Sequence, residues 1–277
     1  MTNEGRISRG WRLTRVAWRV LISDRTACML AAMQIVTSAC LIAAVAWLTG
    51  WLHHPGQRSR LYIGALIVYW PSMLIGTFIG VALAAAVVAS LDGRHLTLRE
   101  ALAVPCRRFG QVLLWSLLAT GVGVLLQEII SRIPFGGRIV SALAGVAWSL
   151  GTLFVIPILA IDGCRSDECV RRSVKLIKQR WGEGVTGGVV ITSWTVLVSI
   201  PLGVLVAIIV GATRSRTAGW LVFLVGISVL GSVAWVVTRV FSVALYRYAT
   251  TGQAPGPFSE EDVERPFTKR RGLFRRA

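Results

Sequence analysis

Few residues of this 277-residue chain have the types and spacing that chemistry requires. His53 and His54 are adjacent, just before Pro55. Adjacent side chains do not converge on one helical face, and no carboxylate or thiol lies near them in sequence. They therefore read as a loop pair rather than a metal site. His95 stands alone in LDGRHLTLRE. The chain has no HExxH, P-loop, GxSxG or paired-carboxylate motif. Gly121 and Gly123 lie inside an apolar run, so they do not cradle phosphate. Two ionisable residues remain. Arg239 sits within an apolar stretch, and Asp162 closes another. An arginine in hydrocarbon costs about 2.5–3.5 kcal/mol on insertion scales, so Arg239 must face protein or water, or snorkel. By depth, Asp162 is its nearest partner. The pair reads either as an interhelical ion pair or as a contact for a substrate or lipid head group open to the cytoplasm. Neither reading needs a cofactor or metal, and no enzyme is expected.

The elements that would hold these residues are apolar and long. The chain is 54% hydrophobic with a mean hydropathy of +0.65, outside the soluble globular range. Six runs, about 27–52, 61–90, 110–130, 139–161, 185–211 and 219–246, each exceed the roughly 20 residues needed to cross a ~30 Å hydrocarbon core. The fold expected is an all-α integral membrane bundle of six transmembrane helices. A basic amphipathic segment (1–26) precedes a membrane domain (27–248), and a flexible cytoplasmic tail (249–277) follows it. Pro71, Pro157 and Pro201 are the predicted sites of kinks.

The net charge of +17 suggests nucleic acid until the cations are placed. They gather at the ends of the apolar runs, 23 on one side and 6 on the other if the runs are spans. Basic connectors stay in the cytoplasm, so both termini are expected inside, in the cytoplasmic membrane. The connector DECVRRSVKLIKQRW, Asp167 to Trp181, is amphipathic. Val170, Val174, Ile177 and Trp181 form one stripe, and Arg171, Arg172, Lys175, Lys178 and Arg180 fill the remaining circumference. Such a helix lies on a bilayer with its cations toward anionic head groups, the partner expected here in place of nucleic acid. Residues 7–22 form a second basic amphipathic segment. It reads as a lead-in helix on the surface, or as a docking helix for a lipid or protein partner. The basic end TKRRGLFRRA reads as reinforcement of the topology.

Cys28, Cys40, Cys106, Cys164 and Cys169 contain no CxxC pair, and all are placed in the membrane or on its cytoplasmic side, so reduced thiols are expected. Trp47, Trp51, Trp181 and Trp220 sit at run ends as interfacial anchors, whereas Trp115, Trp148, Trp194 and Trp235 lie deeper as packing residues. Asp92-Gly93 reads as a turn, and Thr97 to Glu100 as a capping box. Gly76 and Gly80, and the series Ser199, Gly203, Ala207 and Gly211, let helices approach closely. Packing within the chain is preferred for them, with a homo-oligomer or a membrane protein partner left open.

The segments GRISRGWRLTRVAWRVLISDR, VIPILAIDGCRSDECVRRSVKLIKQRWGE and SVALYRYATTGQAPGPFSEED resemble a prokaryotic family of multi-pass membrane proteins of unknown function. The central one is similar, more loosely, to the membrane domain attached to some glycerophosphodiester phosphodiesterases. In that domain an acidic residue closes a span and a Ser-containing amphipathic helix ends at Trp-Gly. The resemblance covers nearly the whole chain and implies no activity, since no phosphodiesterase domain is attached. The function expected is non-enzymatic membrane organisation or partner binding. The alternative is a transporter or lipid-handling protein with Arg239 and Asp162 in its pathway. Polar residues near mid-run are modest (Gln34, Thr37, Ser38, Ser193, Thr195) and no repeat is visible, which weighs against transport.

Overall fold

The computed structural model describes residues 19, 21–48, 58–132, 144–145, 147–181 and 216–253. Among them every regular element is a helix. Helix α1 (Arg25–Leu48) is followed by α2 (Arg58–Leu91), the short α3 (Leu98–Arg107) and α4 (Phe109–Arg132). Then come α5 (Val155–Ile161), the amphipathic α6 (Ser166–Trp181) and the 36-residue α7 (Arg216–Thr251).

Among the described residues three helices are long and apolar enough to cross a membrane, over Arg25–Ala44, Tyr69–Leu91 and Phe109–Leu126. That is fewer than the six spans expected, and the differences have specific causes. The run 139–161 is not one continuous helix. Its described part has helix at 147–151, turns at 152–154, and a restart at α5. Pro157 has no N–H for the carbonyl of Leu153, and its ring crowds that carbonyl, so the helix opens one turn ahead of the proline. Tighter bonds bridge the gap, with Leu153 N–H donating to Leu150 (3.0 Å) and Val155 N–H to Thr152 (3.1 Å). The run 219–246 falls within the continuous helix α7, the side chains of whose first ten residues lie outside the described ones. The run 185–211 lies outside the described residues, together with its small-residue series, Trp194 and Pro201. So do His53, His54, residues 7–18 and the tail beyond 253.

Helix α2 is the central post, touching α1, α3, α4, α5 and α7. It runs on through Pro71. Its inner half, from Ile79 to Ala89, is buried on nearly every side. Small side chains permit this: Ala82, Ala84, Ala86 and Ala89 let neighbours approach from several directions. Of the glycine pair, Gly80 meets the Trp235 ring of α7, which a Cβ there would reach at 3.1 Å, while Gly76 faces open space. The close approach within the chain therefore uses one glycine of the two. Trp115 is buried and stacks on Trp148 at 6.2 Å.

The outer faces of α1 and α4 are as apolar as their inner ones. Ala27, Leu30 and Ala31 point inward from α1, and Met29, Met33 and Val36 outward. On α4, Val112, Trp115 and Ala119 are buried, whereas Leu114, Leu117, Val124 and Leu125 are exposed, Leu125 at 62%. A helix beside water places polar residues on its outer face. One that is hydrophobic all round has hydrocarbon or protein as its neighbour.

Candidate functional site

The polar side chains that join these helices gather at one set of helix ends. Asp24, buried before α1, caps that helix by accepting from the amides of Thr26 (2.8 Å) and Ala27 (3.2 Å). Its other oxygen lies 3.5 Å from His95 Nδ1, and Thr26 Oγ1 donates to the Leu96 carbonyl at 2.6 Å. The start of α1 is thus tied to the loop after α2. That loop turns at Gly93 (φ +72), as the Asp92-Gly93 pair implies. It enters α3 through the expected capping box, in which Thr97 and Glu100 bond each other's amides. The Thr97 amide, donating to it, holds Glu100's carboxyl below the usual range. Arg247, near the end of α7, donates to the Asp92 carboxylate and ties the last helix to the same loop.

The second group is centred on Asp162, at the end of α5. Arg172 of α6 pairs with its Oδ2 at 2.8 Å, and the Tyr246 hydroxyl of α7 donates to the same oxygen at 2.7 Å. The Tyr246 ring packs against Phe154 at 6.0 Å. Arg108 donates through both terminal nitrogens to the last carbonyls of α5, those of Leu159 and Ile161. Those carbonyls lack helical partners, so Arg108 serves as a cap from another element. Gly163 makes this cap fit: its φ is +65, and a Cβ there would stand 2.9 Å from the Arg108 guanidinium carbon. Ser166 donates to the Gln111 carbonyl at 3.2 Å. Ser173, wholly buried, accepts from the Phe154 amide at 3.1 Å, satisfying a donor freed by the helix break. Replacing Ser173 with alanine is expected to cost about 1–2 kcal/mol, the worth of that bond plus part of its desolvation. Thermal unfolding in detergent reads the effect, and an unchanged midpoint would mean that Ser173 does not hold the break.

Arg239 and Asp162 are not brought together: no ion pair joins them among the described residues. Seven residues, about 10 Å of helix, separate Arg239 from Tyr246, the residue of α7 at Asp162's level. Arg239 instead lies over the Trp235 ring, 5.1 Å from its centroid, and its buried Nε has no hydrogen-bond partner.

The buried seam of α6 runs through Ser166, Cys169, Ser173 and Ile177, with Val170 and Val174 at its flank. Of the stripe expected from Val170, Val174, Ile177 and Trp181, Ile177 is buried and the two valines half-buried, so the seam is rotated toward the smaller residues; the Trp181 side chain lies outside the described ones. Arg171, Arg172, Lys175 and Lys178 are exposed, and the side chain of Arg180 lies outside the described ones. Arg171 bonds Asp167 at 2.9 Å and holds that carboxyl below the usual range. With Arg172 on Asp162, Lys175 and Lys178 carry no ion pair among the described residues.

Cys164 and Cys169 form a disulfide, which corrects the expectation of reduced thiols throughout; Cys28, Cys40 and Cys106 are free. The turn at Gly163 folds the loop back onto the first turn of α6 and brings the two Cα atoms within 5.8 Å. Sequence reasoning also passed over Tyr246, Arg108 and Ser173. Only Ser173 had a readable signal, in its spacing from Ser166 and Cys169 along one helical face.

Helices apolar on both faces, joined through polar residues at one end, define an all-helical protein with three helices fit to span a bilayer among the described residues. The chain belongs to a family of unknown function (DUF6159), whose model matches residues 61–256. No curated protein and no solved structure matches it, and no similarity to glycerophosphodiester phosphodiesterases is found.

Proposed function

We propose that this is a six-span protein of the cytoplasmic membrane, with both termini inside, that acts without catalysis as a membrane-organising or partner-binding scaffold. One observation carries the reading: the polar ties among the described helices lie at one set of ends, where the sequence also concentrates its cations, while α1 and α4 present apolar side chains outward along their length. On this reading the polar end faces the cytoplasm, and α6 lies along the bilayer surface there. Arg171, Arg172, Lys175, Lys178 and Arg180 would sit near anionic head groups, each cation worth about 1 kcal/mol close to such a surface. Lys175 and Lys178 are then the ones most at liberty to bind lipid. Reporters fused after Leu52, Asp162 and Ala277 test the topology. The first is expected to read outside and the other two inside; an Ala277 fusion reading outside would sink the proposal.

A second reading, a transporter or lipid-handling protein, is favoured by the buried Nε of Arg239 without a partner. In that reading Arg239 and Trp235 form the polar site, and Asp162 belongs to the scaffold.

A further inference from the structure

We propose that Cys164 and Cys169 are a reversible thiol–disulfide site that fastens the first turn of α6 to the loop closing α5, with a dithiol of the cytoplasm as its redox partner. For the compartment, this rests on the topology proposed above. The bridge joins residues only five apart, so it does little to tie distant parts of the fold and much to fix one loop against one helix. Disulfides found in a reducing compartment are mostly transient, serving in redox sensing or exchange.

The two sulfurs are unequally placed. Cys164 is half-buried beside the exposed Arg165, whereas Cys169 is wholly buried on the seam of α6. An incoming thiolate therefore reaches the Cys164 sulfur first. The bridge breaks, Cys169 leaves with the electron pair and takes up a proton, and a mixed disulfide forms on Cys164. The second thiol of the partner, losing its proton, then attacks the partner's own sulfur and displaces Cys164, which is protonated in turn. The bridge gains two electrons and two protons, and the dithiol becomes a disulfide.

What the bridge controls is α6. Once it opens, the start of that helix is held by Ser166 on the Gln111 carbonyl, and the next turn by Arg172 on Asp162 and Ser173 on Phe154. Reduction therefore loosens the basic helix without removing its seat.

The full chain with Cys28, Cys40 and Cys106 replaced by serine is equilibrated in detergent with dithiothreitol buffers of set reduced-to-oxidised ratio, quenched in acid and labelled with a maleimide-polyethylene glycol. The expected result is joint conversion from no label to two labels, reversed on reoxidation, with tryptic cleavage at Lys175 and Lys178 several-fold faster in the reduced protein. Cys164→Ser is expected to be cleaved at the fast rate under all conditions. Two labels at every ratio, none at any ratio, or equal cleavage rates would each overturn the latch; because the labelling and cleavage of the bridged chain give these results, the proposal does not depend on the variant folding. A reporter after Asp162 that reads outside would overturn the cytoplasmic partner and the topology together, and is distinguishable from an unresponsive bridge.

Discussion

Replacing Gly163 with alanine is expected to destabilise the protein by about 2.5–5 kcal/mol, combining roughly 1–2 for a side chain at positive φ with about 1.5–3 for displacing a charged hydrogen-bond donor. Both causes are present at this residue: φ is +65, and the new Cβ would meet the Arg108 guanidinium 2.9 Å away. Arg108 would have to leave the carbonyls of Leu159 and Ile161, uncapping the helix that ends at Asp162. Gly93 separates the two causes, because its φ is +72 but nothing lies within 4 Å of a Cβ there. Gly93→Ala should therefore cost only about 1–2 kcal/mol. Thermal unfolding of the detergent-solubilised variants measures both. Adding Arg108→Gln to Gly163→Ala should remove part of the loss, since the shorter side chain vacates the space. Equal losses at Gly163 and Gly93 would mean that Arg108 does not rest on Gly163, and the cap on α5 would have to be reassigned.

What sequence alone made legible was local. The capping box at Thr97 and Glu100 and the turn at Gly93 depend on neighbours three or fewer residues away, and the structure forms both. Trp115 lies deep in an apolar run and is buried, as its position implies. Partners across helices were harder to read. Asp162 has two, Arg172 ten residues on and Tyr246 84 residues on, and choosing them requires the rotation and depth of α6 and α7. Hydropathy ranks Val and Ile above Ser and Cys, so it set the face of α6 by its large apolar side chains. Close packing chose the small ones instead, because Ser173 must come near enough to bond the Phe154 amide. The disulfide escaped for a related reason: a spacing of five brings two cysteines together only after the backbone reverses at Gly163.

Removing the charge at Asp162 and at Arg239 is expected to act in opposite directions. Asp162→Leu strands the buried Tyr246 hydroxyl and breaks the half-exposed pair with Arg172, a loss of about 2–4 kcal/mol. Arg239→Leu gives up a contact with Trp235 worth about 0.5–2 kcal/mol but, on the six-span placement proposed above, relieves about 2.5–3.5 kcal/mol of arginine in hydrocarbon. A net gain of about 0.5–3 kcal/mol follows from those two figures. Because the residues lie at different depths, the double variant should show the sum of the single effects within about 0.5 kcal/mol, whereas Asp162 and Arg172 should couple by about 0.5–3 kcal/mol. Unfolding midpoints of the singles and doubles measure both cycles. A strong Asp162–Arg239 coupling would restore the interhelical ion pair that the sequence suggests and contradict the present placement of Tyr246. A gain in stability at Arg239→Leu would leave an arginine kept at the expense of the fold. Solute or lipid flux measured on that same stable variant then becomes the decisive comparison between a scaffold and a transporter.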